Sequence, residues 1–110
     1  MNVYDKSGTI RLTVKKADTF FKRLAGLMFQ PALPPGHGLL LTSCSRVHTC
    51  FMRFPIDAIY LDDNHEVLDI ETLAPWRIGK RVEGTSMILE TATGFGLQLR
   101  IGMRLIFEDI

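Results

Sequence analysis

The sequence predicts a mainly β fold: a small antiparallel β-sandwich or distorted barrel of about seven short strands. One helix is expected in the N-terminal half, and a short second helix or turn near the C-terminus. Three observations predict it. Ile10, Leu12 and Val14 alternate with Thr9, Arg11, Thr13 and Lys15, the period of two that marks a half-buried strand. From Leu39 onward, apolar runs of strand length recur, separated by turn-forming residues. Helical spacing of apolar residues occurs in one good stretch, where Phe20, Phe21, Leu24, Leu27 and Met28 fall on one broad face.

The elements follow in chain order. Thr9 to Lys15 is the first predicted strand. Asp18 is placed to cap the helix, which must stop near Gln30 because Pro31, Pro34 and Pro35 cannot continue it. Gly36 to Gly38 reads as a loop and Leu39 to Thr42 as a short buried strand. A polar turn around Ser43–Arg46 precedes a run from Val47 to Phe54, which Pro55 ends, and a further strand from Ile56 to Leu61. Asp62 to His65 is a hairpin turn, with Asn64 the residue best suited to positive φ. The return strand, Glu66 to Leu73, puts Leu68 and Ile70 on one face and Asp69 and Glu71 on the other. Ala74 to Thr85 contains Pro75, Gly79 and Gly84 and reads as a long loop. Met87 to Glu90 is a strand, Ala92 to Leu99 a short helix or turn weakened by Gly94 and Gly96, and Met103 to Phe107 the closing strand. Ile10, Leu12, Val14, Leu40, Ile59, Leu61, Leu68, Ile70, Leu89, Leu105 and Phe107 are expected to form one core beneath the helix.

At 110 residues the chain suits a single domain, 1–110. Net charge of +1 provides no long-range field for collecting nucleic acid or an anionic membrane, so neither is expected as a partner. The apolar runs are far shorter than a membrane span, and Met1–Lys6 has no hydrophobic signal core. The expectation is a cytoplasmic protein whose two cysteines are reduced thiols.

Placed on these elements, a set of motifs resembles one family. Arg23 is followed by Gly26-Leu27-Met28, then Leu33 and Gly38-Leu39-Leu40. Next come Phe51-Met52-Arg53-Phe54-Pro55-Ile56-Asp57 and Ile59-Tyr60-Leu61-Asp62, and finally Leu89-Glu90, Gly94 and Gly102. In this order, over nearly the whole chain, they resemble domain of unknown function 192. The resemblance implies a compact, mostly β single domain and no particular reaction. Many members of that family carry an export signal or lipoprotein anchor. Phe51 stands where members often have tryptophan, and Phe54 where they often have asparagine.

Charge inside the matched motifs defines the candidate site. Burying an ionised group is costly unless it is paired, so Arg23, Arg53, Asp57 and Glu90 need partners, a pocket or solvent. Strand parity puts Asp57 on the face of Ile59 and Leu61. One reading is a structural network of arginines and carboxylates. The other is a shallow polar pocket in which Arg23, Arg53, Asp57, Glu90 and Met52 bind an anionic ligand. Cys44, His48 and Cys50, with Met52, would share one face of a continuous strand, His48 and Cys50 ~7 Å apart. That is an incomplete set for zinc or copper(I), so no metal or cofactor is expected. Cys50 beside His48 is also the one candidate thiolate–imidazole pair. In Pro75–Arg81, Trp76 among basic residues could stack on a ligand, but it reads rather as the packed-down anchor of a solvated loop.

These residues support a small-molecule or anionic-ligand binding module without catalytic residues. The alternative is a structural or protein-interaction domain whose buried charges only hold the fold. A third reading is an enzyme using Cys50 and His48. The expected partner is a small anion or a protein, and the expected state a monomer or weak homodimer.

Overall fold

The computed structural model describes residues 1–19, 22, 26–28 and 30–108. Seven strands form one sheet: β1 (Asn2–Tyr4), β2 (Arg11–Ala17), β3 (His37–Thr42), β4 (Ile56–Leu61), β5 (Val67–Leu73), β6 (Met87–Ala92) and β7 (Ile106–Glu108). Their spatial order is β5-β4-β6-β3-β2-β1-β7. Every pairing is antiparallel except β2 with β3, which residues 18–36 join as a crossover, since no tight turn can connect parallel neighbours.

The sheet curls into a half-barrel. At one corner the start of β5 meets the run leading into β7. The Val67 N–H donates to the Met103 carbonyl at 2.8 Å, Gly102 to Val67 at 2.7 Å, and Leu105 to His65 at 2.9 Å. Stitching the two ends together satisfies backbone groups that an open edge would leave to solvent or to another chain.

Both faces of the central strands are covered, which is why every residue of β4 is buried. Leu12, Val14, Leu40, Ile59, Leu61 and Leu89 pack on the concave face together with Val3, Val67, Leu99 and Leu105. Ile10, Ile70 and Phe107 close the rim of that cluster. The other face buries Leu41, Val47, Met52, Ile56, Tyr60 and Ile88 with Ala17, Leu27, Ala58 and Leu73. Leu68 packs on this second side, away from Ile70. The pairing of β4 with β5 shifts between Tyr60 and Leu61, and the extra residue inverts the alternation that put Leu68 beside Ile70.

Of the expected sandwich or distorted barrel, the structure is a single sheet curled into a half-barrel. The strand count of seven is met by a different set: Asn2–Tyr4 is added and Val47–Phe54 is lost. That segment makes one isolated bridge, His48 with Ile78, before turning at Phe51, whose φ is +63°. In the β4–β5 turn the positive φ belongs to His65, at +64°, rather than to Asn64. The expected helix falls largely outside the described residues, including Phe20, Phe21 and Leu24. Within it, Thr19 Oγ1 accepts the Lys22 N–H at 3.1 Å, and Gly26–Met28 form a turn. The 3-10 turn Phe95–Gln98 lies within the expected short helix or turn.

Candidate functional site

Asp57 lies on β4 facing the same side as Ile59 and is only 2% exposed. Its carboxylate is fully occupied. Oδ1 accepts the Thr72 hydroxyl at 2.7 Å, and Oδ2 accepts the N–H groups of Gly94 at 3.0 Å and Gly96 at 2.9 Å. Asp57 thereby holds the start of the 3-10 turn against the sheet, where unpaired N–H groups favour a negative partner. A side chain at Gly96 would not fit: a Cβ there would stand 2.7 Å from Ile70 Cγ2 and 3.0 Å from Asp57 Oδ2. Arg53 is exposed and takes no part in this arrangement. Arg23 lies outside the described residues.

Glu90 does not join Asp57. It pairs in register with Ala58, while Asp57 pairs with Thr91, so the two acids leave the sheet by opposite faces. The expected pocket between them does not form. Glu90 is 1% exposed and its Oε1 has no hydrogen-bond partner among the described residues. Burial pushes its pKa up to about 8. It lines a cavity of about 20 Å³ together with Leu27, Met28, Leu41, Arg46, Val47, His48 and Met52. Of the residues expected at the site, Glu90 and Met52 therefore do meet. Arg46 and Met28 were not foreseen there, because nothing local to either residue points at Glu90.

The sulfur and imidazole residues are rearranged by the loss of their strand. Cys44 Sγ donates to the Arg46 carbonyl at 3.0 Å, and His48 Nδ1 accepts the backbone N–H of Cys50 at 3.2 Å. The Cys50–His48 hydrogen bond thus runs through the main chain rather than the thiol. No group of three or more His, Cys, Asp or Glu side chains among the described residues could hold a metal ion.

What the segment builds instead is a two-loop surface. Thr49 is completely buried, its hydroxyl donating to the Ala74 carbonyl at 2.6 Å and accepting the Arg77 N–H at 2.8 Å. Its own N–H donates to Arg77, and its carbonyl accepts Trp76 at 2.9 Å. Arg46 Nε reaches the Gly79 carbonyl at 3.1 Å. Only glycine fits at 79, where a Cβ would come within 2.6 Å of both Tyr60 Oη and Val47 Cγ1. On this clamp Phe51 and Trp76 meet, ring centroids 4.6 Å apart and planes at 59°. Both have left-handed backbones, φ +63° and +65°, which for bulky residues costs about 1–3 kcal/mol each. Both remain open to solvent, Phe51 47% and Trp76 57% exposed, with Ile78 at 65%. Trp76 is thus displayed rather than packed down.

Comparison with known proteins places this architecture. Residues 3–107 match the DUF192 family, whose description is Uncharacterized ACR. The chain belongs to that family. A UPF0127 protein of Pyrococcus furiosus is 38% identical to it, over 91% of this chain and 90% of its own length. A UPF0127 protein of Thermococcus sibiricus is 41% identical over 74% of this chain, which spans about half (55%) of that relative's length. A protein of unknown function from Novosphingobium aromaticivorans has the same fold, with a TM-score of 0.84 at 19% identity, covering 96% of this chain and 82% of its own. A second solved structure, from Sinorhizobium meliloti, gives a TM-score of 0.79 at 22% identity, over 96% of this chain and 89% of its own.

In this DUF192 chain the signature motifs separate into two structural groups. Gly26-Leu27-Met28, Met52 and Glu90 converge on the small cavity on one face of the sheet. Asp57 and Gly94 join on the other face to fix the 3-10 turn.

Proposed function

We propose that this DUF192 chain is a protein-interaction module: a stiff half-barrel that displays the two-loop surface around Phe51 and Trp76. One observation carries the reading. Two large aromatic side chains are held in contact, exposed, on backbone conformations that bulky residues rarely adopt. Strain and solvent exposure together lower stability, and both are found where a surface serves binding. Aromatic residues and arginine, both present here, are the residue types enriched at interface hot spots.

The small-ligand reading has less support. A cavity of about 20 Å³ admits one water-sized guest, whereas small-molecule sites run to ~300–1,000 Å³. A wide groove of about 640 Å³ beside Lys6, Arg11 and Glu108 is open to solvent, and there Tyr4 Oη already donates to Glu108 at 2.8 Å. The bonds that Asp57 accepts from Thr72, Gly94 and Gly96 favour the structural alternative over a ligand role for this carboxylate.

Paired capture tests the reading. Wild-type chain and a Phe51→Ser/Trp76→Ser variant of matched thermal stability are presented to the same cell extract. A polypeptide retained by the wild type and lost by the variant supports the surface. Identical recovery from both removes it.

A further inference from the structure

The two loops are strongly basic. Segments 43–55 and 74–86, which join β3 to β4 and β5 to β6, contain Arg46, Arg53, Arg77, Lys80 and Arg81 against one acidic residue, Glu83, although the whole chain has a net charge of only +1. Lys80 is engaged locally, its Nζ 2.6 Å from Asp69. The four arginines are exposed; Arg46 is engaged with the Gly79 carbonyl and Arg81 shares a groove with Glu83, which leaves Arg53 and Arg77 as the loop cations nearest in sequence to Phe51 and Trp76. From this we infer that the occupant of the Phe51–Trp76 surface is an acidic segment of a partner protein that also carries an apolar side chain. The inference rests on the interaction-module reading and adds the chemistry of the partner.

The reasoning is one of complementarity. Carboxylates of the partner meet guanidinium groups bidentately, a geometry lysine does not offer, and its apolar side chain packs on Trp76 and Ile78. The Thr49 clamp fixes both loops beforehand, which reduces the ordering penalty that binding would otherwise carry. A stack of nucleic-acid bases is a poorer fit, because the two rings are inclined at 59° and offer no pair of parallel faces.

Trp76 is the single tryptophan of the chain, so its emission reports on this surface alone. The experiment titrates the full chain with a synthetic peptide alternating glutamate with leucine and phenylalanine, and with the same peptide carrying lysine for glutamate. Anionic phospholipid vesicles and an oligo-deoxythymidine strand are the other probes. The expected result is a saturable Trp76 response to the acidic peptide, weakened by salt and lowered about tenfold or more in affinity by Arg53→Glu/Arg77→Glu. A Lys16→Glu/Arg100→Glu variant, which makes the same change in net charge elsewhere, should bind as the wild type does. A response to vesicles or to the oligonucleotide in place of the acidic peptide overturns the inference about the partner, leaving the module reading to the capture test. An equal response to the lysine peptide, equal loss in both charge-reversal variants, or no response to any probe overturns it as well.

Discussion

Asp57 and Glu90 stand on adjacent strands one register position apart, yet their carboxyl groups emerge on opposite faces of the sheet. The first is saturated with hydrogen bonds from Thr72, Gly94 and Gly96. The second is buried with its Oε1 unsatisfied among the described residues. Two acids that look alike in sequence are therefore opposite in physical character: one tethers a turn, and the other is an energetic liability held in place by its strand.

Asp57→Ala should destabilise the fold by about 2–4 kcal/mol, because it leaves two backbone N–H groups without their acceptor. Arg53→Ala, at an exposed position, should change stability by less than ~0.5 kcal/mol. Denaturant unfolding of both variants checks the pair. Equal effects would mean that Asp57 acts through Arg53 after all.

Glu90 should make stability fall with pH. Its folded pKa of about 8 lies above its ordinary value of 4.5. Between those values the folded chain keeps a proton that the unfolded chain has lost. The contribution of Glu90 to stability is therefore greatest below about pH 4.5, declines as pH rises, and levels off above about pH 8. Glu90→Gln should remove that slope, gaining on the order of a few kcal/mol near pH 9 and almost nothing near pH 4. His48 and Arg46 line the same cavity. His48→Gln in the Glu90→Gln background separates any contribution of the His48 side chain. Parallel melting curves for wild type and Glu90→Gln across pH would refute the assignment.

Thr49→Val should loosen the two-loop clamp without unfolding the sheet. Losing the hydroxyl leaves the Ala74 carbonyl and the Arg77 N–H short of a partner, a cost of about 1–3 kcal/mol. Hydrogen exchange at Trp76 and Arg77 should accelerate while the β4 amides keep their protection. Unchanged exchange at Trp76 would show that Thr49 does not hold the loop.

Leu61→Ala should cost ~2–5 kcal/mol through lost burial and the cavity left on the concave face, where Leu61 is completely buried. Leu97→Ala, at a position 91% exposed, should be nearly neutral. A loss below about 1 kcal/mol at Leu61 would contradict its place in the core.

The sequence by itself determined which residues are inside. Alternation in Ile10–Val14, Ile59–Leu61 and Leu89 placed those side chains on the concave face, and all the expected core residues except Leu68 lie in or against one cluster there. Asp57 shares that face with Ile59 as parity requires. These are local properties of a chain with a two-residue repeat, and they survive whatever the strands pair with. The tertiary structure decided everything that depends on register and on meetings between distant segments. Val47–Phe54 has the composition of a strand, but it is diverted because Thr49 gains a set of bonds to Ala74, Trp76 and Arg77 that no local pattern announces. The shift beside Tyr60 moved Leu68 to the other face, and the pairing of Glu90 with Ala58 separated it from Asp57. Phe51 and Trp76 meet for the same reason. Contact across 25 residues is set by the closure of the loops over the sheet, a long-range free energy to which neighbouring residues in the sequence contribute no periodicity.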